Sequence, residues 1–192
     1  MSLQFSCELA LPSWVESFVE DWPDPLETAR QRMLLALSLS AENIAHGTGG
    51  PFGAILVEDD TSRLISVGVN LVTTAELSIA HAEMLAISLG QSAIDNWNLG
   101  HETAVQLVTS CEPCAMCFGA VPWSGVSSLL WGASKEDAEA AGFDEGDKPV
   151  NWVHLLEKRG IRTRADVLRE EAAAVLKKYA KQKGAIYHPG QL

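Results

Sequence analysis

The protein has 192 residues, of which 47% are hydrophobic and 20% are charged, a composition typical of one globular domain. Its 14 basic and 25 acidic residues give a net charge of -11, which disfavours contact with a phosphate backbone and predicts that nucleic acid is not a partner. No stretch approaches the roughly 20 uninterrupted apolar residues that span a bilayer, and the first twenty residues lack the basic start of a secretory signal, so we expect a cytoplasmic protein without a membrane contact.

The predicted elements begin with a long helix and a hairpin. Apolar residues at helical spacing predict a helix from about residue 25 to residue 46, and Gly47 ends it. Two short apolar runs, 52–57 and 64–69, predict a β-hairpin across a polar turn. Helices and strands then alternate along the rest of the chain: helix 80–89, strand 104–109, helix 113–121, strand 126–131, helices 135–141 and 150–158, a short edge strand within 161–167, and a final helix 168–181.

This order of elements predicts the fold class. Alternating strands and helices after one hairpin are typical of a three-layer α/β/α sandwich, here with a mixed sheet of about five strands. The chain has no repeat, low-complexity segment or linker, so we expect a single domain over residues 1–192. Residues 1–24 are an N-terminal extension and residues 184–192 a C-terminal tail, and the sequence leaves their roles open.

Two short motifs, each at the start of a predicted helix, point to a metal site. His81 and Glu83 begin one helix, and Cys114 and Cys117 lie three residues apart in the first turn of the next. Cysteines at this spacing project from the same face, and a helix N-terminus favours the thiolate form that binds soft metals. With the imidazole of His81 they offer two sulfurs and one nitrogen, which leaves a tetrahedral Zn²⁺ one open position for water.

An open position predicts a catalytic zinc site. Zinc lowers the pKa of a bound water to about 7, and Glu83 is then placed to carry protons as a general acid and base. The two cysteines taken alone could also be a redox pair or half of a structural zinc site. Cys111 is the nearest candidate for a fourth structural ligand, but it precedes Pro113 across the bend into the helix.

Taken together, the segments His81 to Glu83 and Pro113 to Cys117 resemble the motifs of the cytidine/deoxycytidylate deaminase superfamily, and the similarity extends over residues 49–187. The resemblance implies a five-stranded α/β/α core and hydrolytic loss of ammonia from an amino-substituted nitrogen heterocycle. It also implies a dimer or larger oligomer, and we expect a homodimer. By the same resemblance the zinc ligands and the proton shuttle are His81, Cys114, Cys117 and Glu83.

Three further segments are similar to small bacterial guanine deaminases: residues 50–54, Asn70 at the end of the second strand, and residues 141–145. In that family a carboxylate two positions after the phenylalanine of the last segment reaches into the substrate pocket. The resemblance therefore gives Glu145 a catalytic role. A terminal aromatic residue can close the pocket in these relatives, which suggests the same for Tyr187.

The chemistry of guanine suits these side chains. Guanine presents N1–H beside its exocyclic amine at C2, so the Glu145 carboxylate can accept a hydrogen bond next to the bond that breaks. The Asn70 amide can donate and accept at once, and aromatic rings offer flat apolar walls for a planar base. The predicted substrate-binding residues are Asn70, Phe52, Ala54, Trp123 and Tyr187.

The predicted reaction is hydrolysis of guanine, a small-molecule nucleobase substrate, to xanthine and ammonia. Glu83 passes a proton from the attacking water to ring N3, and Glu83, Glu145 or both protonate the leaving amine. The alternatives are a deaminase of another amino-heterocycle, such as cytosine, an aminotriazine such as ammeline, or adenosine in tRNA, and a zinc-stabilised binding module without catalysis. Asn70 could simply end a strand, Phe52 and Trp123 could be core residues, and Glu145 could lie in a solvated acidic loop.

Overall fold

The computed structural model describes residues 3–187, and the strands of this part of the chain form a mixed five-stranded sheet. The strands are β1 (Gly53–Glu58), β2 (Leu64–Val69), β3 (Val105–Cys111), β4 (Ser128–Ala133) and β5 (Arg162–Arg164). They lie in the order β2-β1-β3-β4-β5. β1 pairs antiparallel with β2 and β3, whereas β3 with β4 and β4 with β5 are parallel pairs.

Helices cover both faces of the sheet, which confirms the predicted fold class. The helices are α1 (Trp14–Glu20), α2 (Ala29–Ala45), α3 (Val72–Ala75), α4 (Ala82–Ala93), α5 (Ala115–Ser124), α6 (Lys135–Ala140), α7 (Trp152–Glu157) and α8 (Arg169–Lys181). One core cluster joins the sheet to α2 and α8, and the second joins its other face to α4, α5 and α7. No helix among residues 3–187 combines the length and apolar character that crossing a bilayer needs.

The start of α2 differs from its predicted position near residue 25. Thr28 caps the helix, because its side chain accepts a hydrogen bond from Gln31 N while its own backbone N donates to Gln31 Oε1. This reciprocal capping box fixes the first helical residue at Ala29. The periodicity of the apolar residues extends further toward the N-terminus than the helix itself does.

The start of α5 also differs from the prediction. Pro113 was expected in the first helical turn, but Cys114 is the N-cap, with an extended backbone at φ -63° and ψ 173°. Pro113 therefore lies just before the helix. The difference matters for the site, because Cys114 then lies immediately before the first helical residue and Cys117 is the third residue of the helix.

The N-terminal extension contributes a short helix that packs on the core. Val15 of α1 is buried, the Trp14 ring stacks on the His46 ring with 4.9 Å between centroids, and Trp14 Nε1 donates to Thr48 Oγ1. These contacts hold α1 against the end of α2 and the loop that leads into β1. That loop forms one edge of the cavity described below.

A glycine allows α4 to approach the sheet closely. A Cβ atom at Gly68 of β2 would lie 2.0 Å from the carbonyl oxygen of Ala82, in the first turn of α4. Any larger residue would displace the start of this helix, because neither backbone can move away without breaking strand or helix hydrogen bonds. The close approach fixes the end of α4 that carries His81 and Glu83.

Candidate active site

His81, Cys114 and Cys117 converge where the starts of α4 and α5 meet. His81 Nδ1 lies 3.5 Å from Cys114 Sγ and 3.6 Å from Cys117 Sγ. The three ligand atoms all lie within 4.8 Å of one another, and no other group of His, Cys or acidic residues among residues 3–187 has this geometry. Cys111, the alternative fourth ligand, instead directs its buried Sγ toward Ser134 O.

The two helix starts explain this convergence. His81 is the N-cap of α4 and Cys114 is the N-cap of α5, and both backbones are extended. Cys117 lies one turn into α5, on the same side as Cys114. Two helix N-termini therefore direct their unpaired N–H groups and positive dipole ends at one point, which favours anionic side chains there.

The pKa values of the two thiols are shifted in opposite directions. The hydrogen bond from Cys117, together with the contact to His81, lowers the pKa of Cys114 to about 4 even though burial opposes this. The same hydrogen bond and burial raise the pKa of Cys117. The donor set of two sulfurs and one nitrogen fits Zn²⁺ with one position left open, and a bound divalent cation would favour the thiolate form of both cysteines.

Glu83 is buried beside this cluster and lines the same cavity. Burial raises its pKa, and the negative charge of Cys114 raises it further, while His81 opposes the shift. A carboxyl group with a raised pKa exchanges protons more readily near neutral pH than an ordinary surface acid. Its position suits a proton carrier that does not itself bind the metal.

A cavity of about 310 Å³ lies over the cluster, which is within the usual range for small-molecule sites. His81, Glu83 and Cys114 form part of its polar lining, and Phe52 and Phe143 form an apolar wall. The two phenylalanine rings meet edge to face, with 4.8 Å between their centroids. The cavity therefore combines a flat apolar surface with acids and potential metal ligands.

Asn70 also lines the cavity, and a second asparagine holds its backbone in place. Asn70 Oδ1 accepts a hydrogen bond from Val72 N, which orients the amide. The fully buried Asn43 donates from Nδ2 to both Asn70 O and Gly50 O, and so ties together the two segments that border this edge. Asn43 was missed in the sequence because nothing in its helical position distinguishes it from a surface residue of α2.

Glu145 is not in a solvated loop: its residue surface is 5% exposed and it lines the cavity. Its carbonyl oxygen accepts a hydrogen bond from Ala115 N in the first turn of α5. Burial raises the pKa of Glu145 to about 8, the negative charges of Cys114 and Glu83 raise it too, and Lys148 lowers it. The cavity thus contains two buried carboxyl groups, Glu83 and Glu145, beside the cluster.

The C-terminal segment passes over the cavity in the same chain. Ala185 and Tyr187 line the cavity, and Tyr179 donates from its hydroxyl to Ala185 O. The Tyr179 ring in turn stacks on Phe143. Tyr187 therefore lies where the sequence predicts it, while the rest of the predicted tail, residues 188–192, lies outside the described part of the chain.

Two predicted substrate-binding residues lie away from the cavity, which corrects their assignment within one chain. Ala54 is fully buried among core residues of β1 and has no cavity surface. Trp123 lies near the end of α5, almost two turns beyond Cys117, and is 78% exposed to solvent. It is neither a cavity wall nor a core residue of this chain.

Several lining residues were not predicted as site residues. Some belong to the short α3 segment, which has too few residues to show a periodic pattern, and others flank predicted site residues along the chain. They include Val72, Thr73, Ser78, Glu112, Met116 and Phe143.

Residues 26–133 match the model of the cytidine and deoxycytidylate deaminase zinc-binding region, and the chain belongs to this family. It is 39% identical over 121 residues to the guanine deaminase of Bacillus subtilis (strain 168), covering 60% of this chain and 74% of that protein. The guanine deaminase structure from Nitrosomonas europaea has a TM-score of 0.87 at 42% identity, covering 94% of this chain and 100% of that one. A variant of NE0047 in complex with 8-azaguanine has a TM-score of 0.87 at 43% identity, covering 92% and 98%. Curated relatives at lower identity include tRNA-specific adenosine deaminases.

The ligand geometry predicts a specific difference between two neighbouring cysteines. Cys117→Ser removes one of three metal-binding atoms, so the purified protein should lose most of its zinc. Cys111→Ser, a matched change at another buried cysteine, should keep about one zinc per chain because Cys111 lies outside the cluster. Metal analysis of both proteins provides the test. Full zinc retention in Cys117→Ser, or equal loss in both variants, would contradict the assigned ligand set.

Proposed function

We propose that the protein catalyses the zinc-dependent hydrolytic deamination of guanine, which gives xanthine and ammonia. The observation that carries this proposal is the pair of buried acids, Glu83 and Glu145, that line one cavity beside the His81, Cys114 and Cys117 cluster. The relatives support it, since two of them are named as guanine deaminases and a variant of one, NE0047, was crystallised with a guanine analogue.

Protein side chains carry the protons in both stages of the reaction, the attack of water and the departure of the amine. When held by His81, Cys114 and Cys117, zinc supplies Lewis-acid chemistry that makes water a nucleophile at neutral pH. Glu83 takes a proton from the attacking water and delivers it to ring N3 of guanine. Water adds at C2, the bond from C2 to the exocyclic nitrogen breaks, and Glu83, Glu145 or both pass the second water proton to the amine, which leaves as ammonia. Atoms balance as guanine plus water giving xanthine plus ammonia.

Glu145 accounts for recognition of the guanine edge. A carboxylate can accept hydrogen bonds from both N1–H and the C2 amine, and these donors favour its ionised form despite burial. Adenine has no N–H at ring N1, so the same carboxylate would face an unprotonated nitrogen. Asn70, which lines the same cavity, supplies a mixed donor and acceptor for the base. Phe52 and Phe143 provide the apolar wall against which a purine ring can pack.

The competing substrates differ in what they offer to Glu145. Cytosine and ammeline also carry an amine next to a ring nitrogen. Ammonia release should therefore be measured for a panel of guanine, guanosine, adenine, cytosine, cytidine and ammeline. Guanine should be the best substrate. Faster turnover of cytosine or ammeline would favour the alternative deaminase, and no turnover of any compound by the zinc-loaded protein would favour a binding module.

A matched pair of variants tests the role of Glu145. Glu145→Gln keeps the shape and a hydrogen-bonding group but removes the proton carrier, so kcat for guanine should fall by about 10²- to 10⁴-fold while zinc stays bound. Asp147→Asn makes the same chemical change at an exposed position of the same loop and should leave kcat near the wild-type value. Equal rates in wild type and both variants would remove Glu145 from the mechanism.

We also propose a homodimer formed through α4 and α5. The sequences of these two helices contain one charged residue, Glu83, and it is buried, although the chain as a whole has a net charge of -11. The exposed ring of Trp123 lies on this uncharged surface. Depletion of charged residues around an exposed aromatic side chain is typical of the core of a subunit interface. The cytoplasmic location expected from the sequence stays a prediction.

The dimer surface can be tested by adding charge. Trp123→Glu places a carboxylate in the uncharged surface, so the dimer should dissociate at protein concentrations where the wild type is dimeric. Phe5→Glu makes a similar change at an exposed aromatic residue outside both helices and should leave the dimer intact. Sedimentation equilibrium gives the masses. A monomeric wild type, or a Trp123→Glu dimer as tight as the wild type, would contradict the proposal.

A further inference from the structure

The loop that carries Glu145 is attached to the start of α5 by a buried ion pair. Lys148 lies three residues after Glu145, and its side chain is only 4% exposed. Its Nζ donates to Glu112 Oε1 and to the carbonyl oxygen of Pro113, the residue immediately before Cys114. The same ammonium group lies 4.6 Å from the centroid of the Trp152 ring.

Two further hydrogen bonds attach the same loop to the rest of the protein. Ala115 N donates to Glu145 O at 2.9 Å, and Lys135 Nζ donates to Gly146 O at 2.9 Å. Gly146 has a φ of +66°, and a Cβ atom there would lie 3.0 Å from the Ala115 Cβ. The loop therefore packs directly on the first turn of α5, at a position that requires glycine.

The energetics of the ion pair indicate what it contributes. Lys148 and Glu112, whose side chains are 4% and 13% exposed, lose most of their hydration. A pair of this kind gives little net stability compared with apolar residues of similar volume. The pair does fix the geometry of the loop. The Lys148 side chain, three residues after Glu145, binds the backbone carbonyl of Pro113, just before Cys114. Displacement of a reacting group by about 1 Å can cost about 10²-fold in rate.

We propose that Lys148 and Glu112 are positioning residues, which fix the distance between Glu145 and the cluster at the start of α5 and so set how efficiently the Glu145 carboxylate meets the substrate. The proposal rests on the proposed function for its kinetic consequence. Its structural consequence does not depend on the substrate, because it concerns how the loop is attached to α5.

The kinetic test asks whether Lys148 acts through Glu145. Lys148→Met removes the ammonium group and keeps the apolar length, so kcat/KM for guanine should fall by about 10²-fold with zinc retained. Added to Glu145→Gln, the same change should cost less than about 3-fold, because the group that it positions is already missing. Equal losses in both backgrounds would show a general structural role and overturn the proposal.

Two further variants complete the kinetic test. Lys148→Arg keeps the positive charge and the charge-assisted hydrogen bonds to Glu112 and Pro113 O, and should recover at least about 10-fold of the activity lost in Lys148→Met. Lys158→Met, at an exposed lysine, should have wild-type kinetics. An Arg variant as inactive as the Met variant would contradict the positioning role.

The structural test uses the amide proton of Ala115, which reports directly on the contact with Glu145 O. In zinc-loaded protein, Lys148→Met should speed hydrogen exchange at this amide by at least about 10-fold, while Lys158→Met should not. Unchanged exchange would overturn the proposal whatever the substrate is. Faster exchange in a protein that does not deaminate guanine would support the attachment and refute the proposed function instead.

Discussion

The site depends on the convergence of two helix N-termini. His81 and Cys114 are both N-cap residues with extended backbones, so their side chains leave the helix starts and meet with Cys117 at one point. The positive ends of α4 and α5 favour negative charge there, which is what thiolate ligands and a polarised water bring. The Gly68 contact places the start of α4 directly on the sheet, and so fixes one side of this arrangement.

The loops that surround the convergence point add two acids with different surroundings. Glu83 belongs to α4 itself and is held rigidly next to His81, whereas Glu145 comes from a separate loop that packs on α5. Burial raises the pKa of both groups; His81 opposes the shift at Glu83, and Lys148 opposes it more than His81 does at Glu145. Two carboxyl groups in one cavity can divide the work of activating water and protonating the leaving amine.

The fold class and the group of candidate metal ligands could be predicted, because both depend on local sequence patterns. Strand and helix alternation gave the layers, and short spacings after two helix starts gave His81, Cys114 and Cys117. The burial of Glu145 could not be read from its acidic neighbours, because it depends on how the loop packs against Ala115. The exposure of Trp123 within one chain could not be predicted for a related reason, because the direction of an aromatic side chain near a motif depends on how its helix packs.

The central claim is that Glu83 moves protons at a metal site that three other residues hold. The most direct measurement is zinc content together with ammonia release from guanine in Glu83→Gln. The variant keeps its shape and all three ligands, so it should retain about one zinc per chain while turnover falls by about 10²- to 10⁴-fold. Near wild-type turnover with zinc in place would contradict the account, because the proton transfers would then not need this carboxylate.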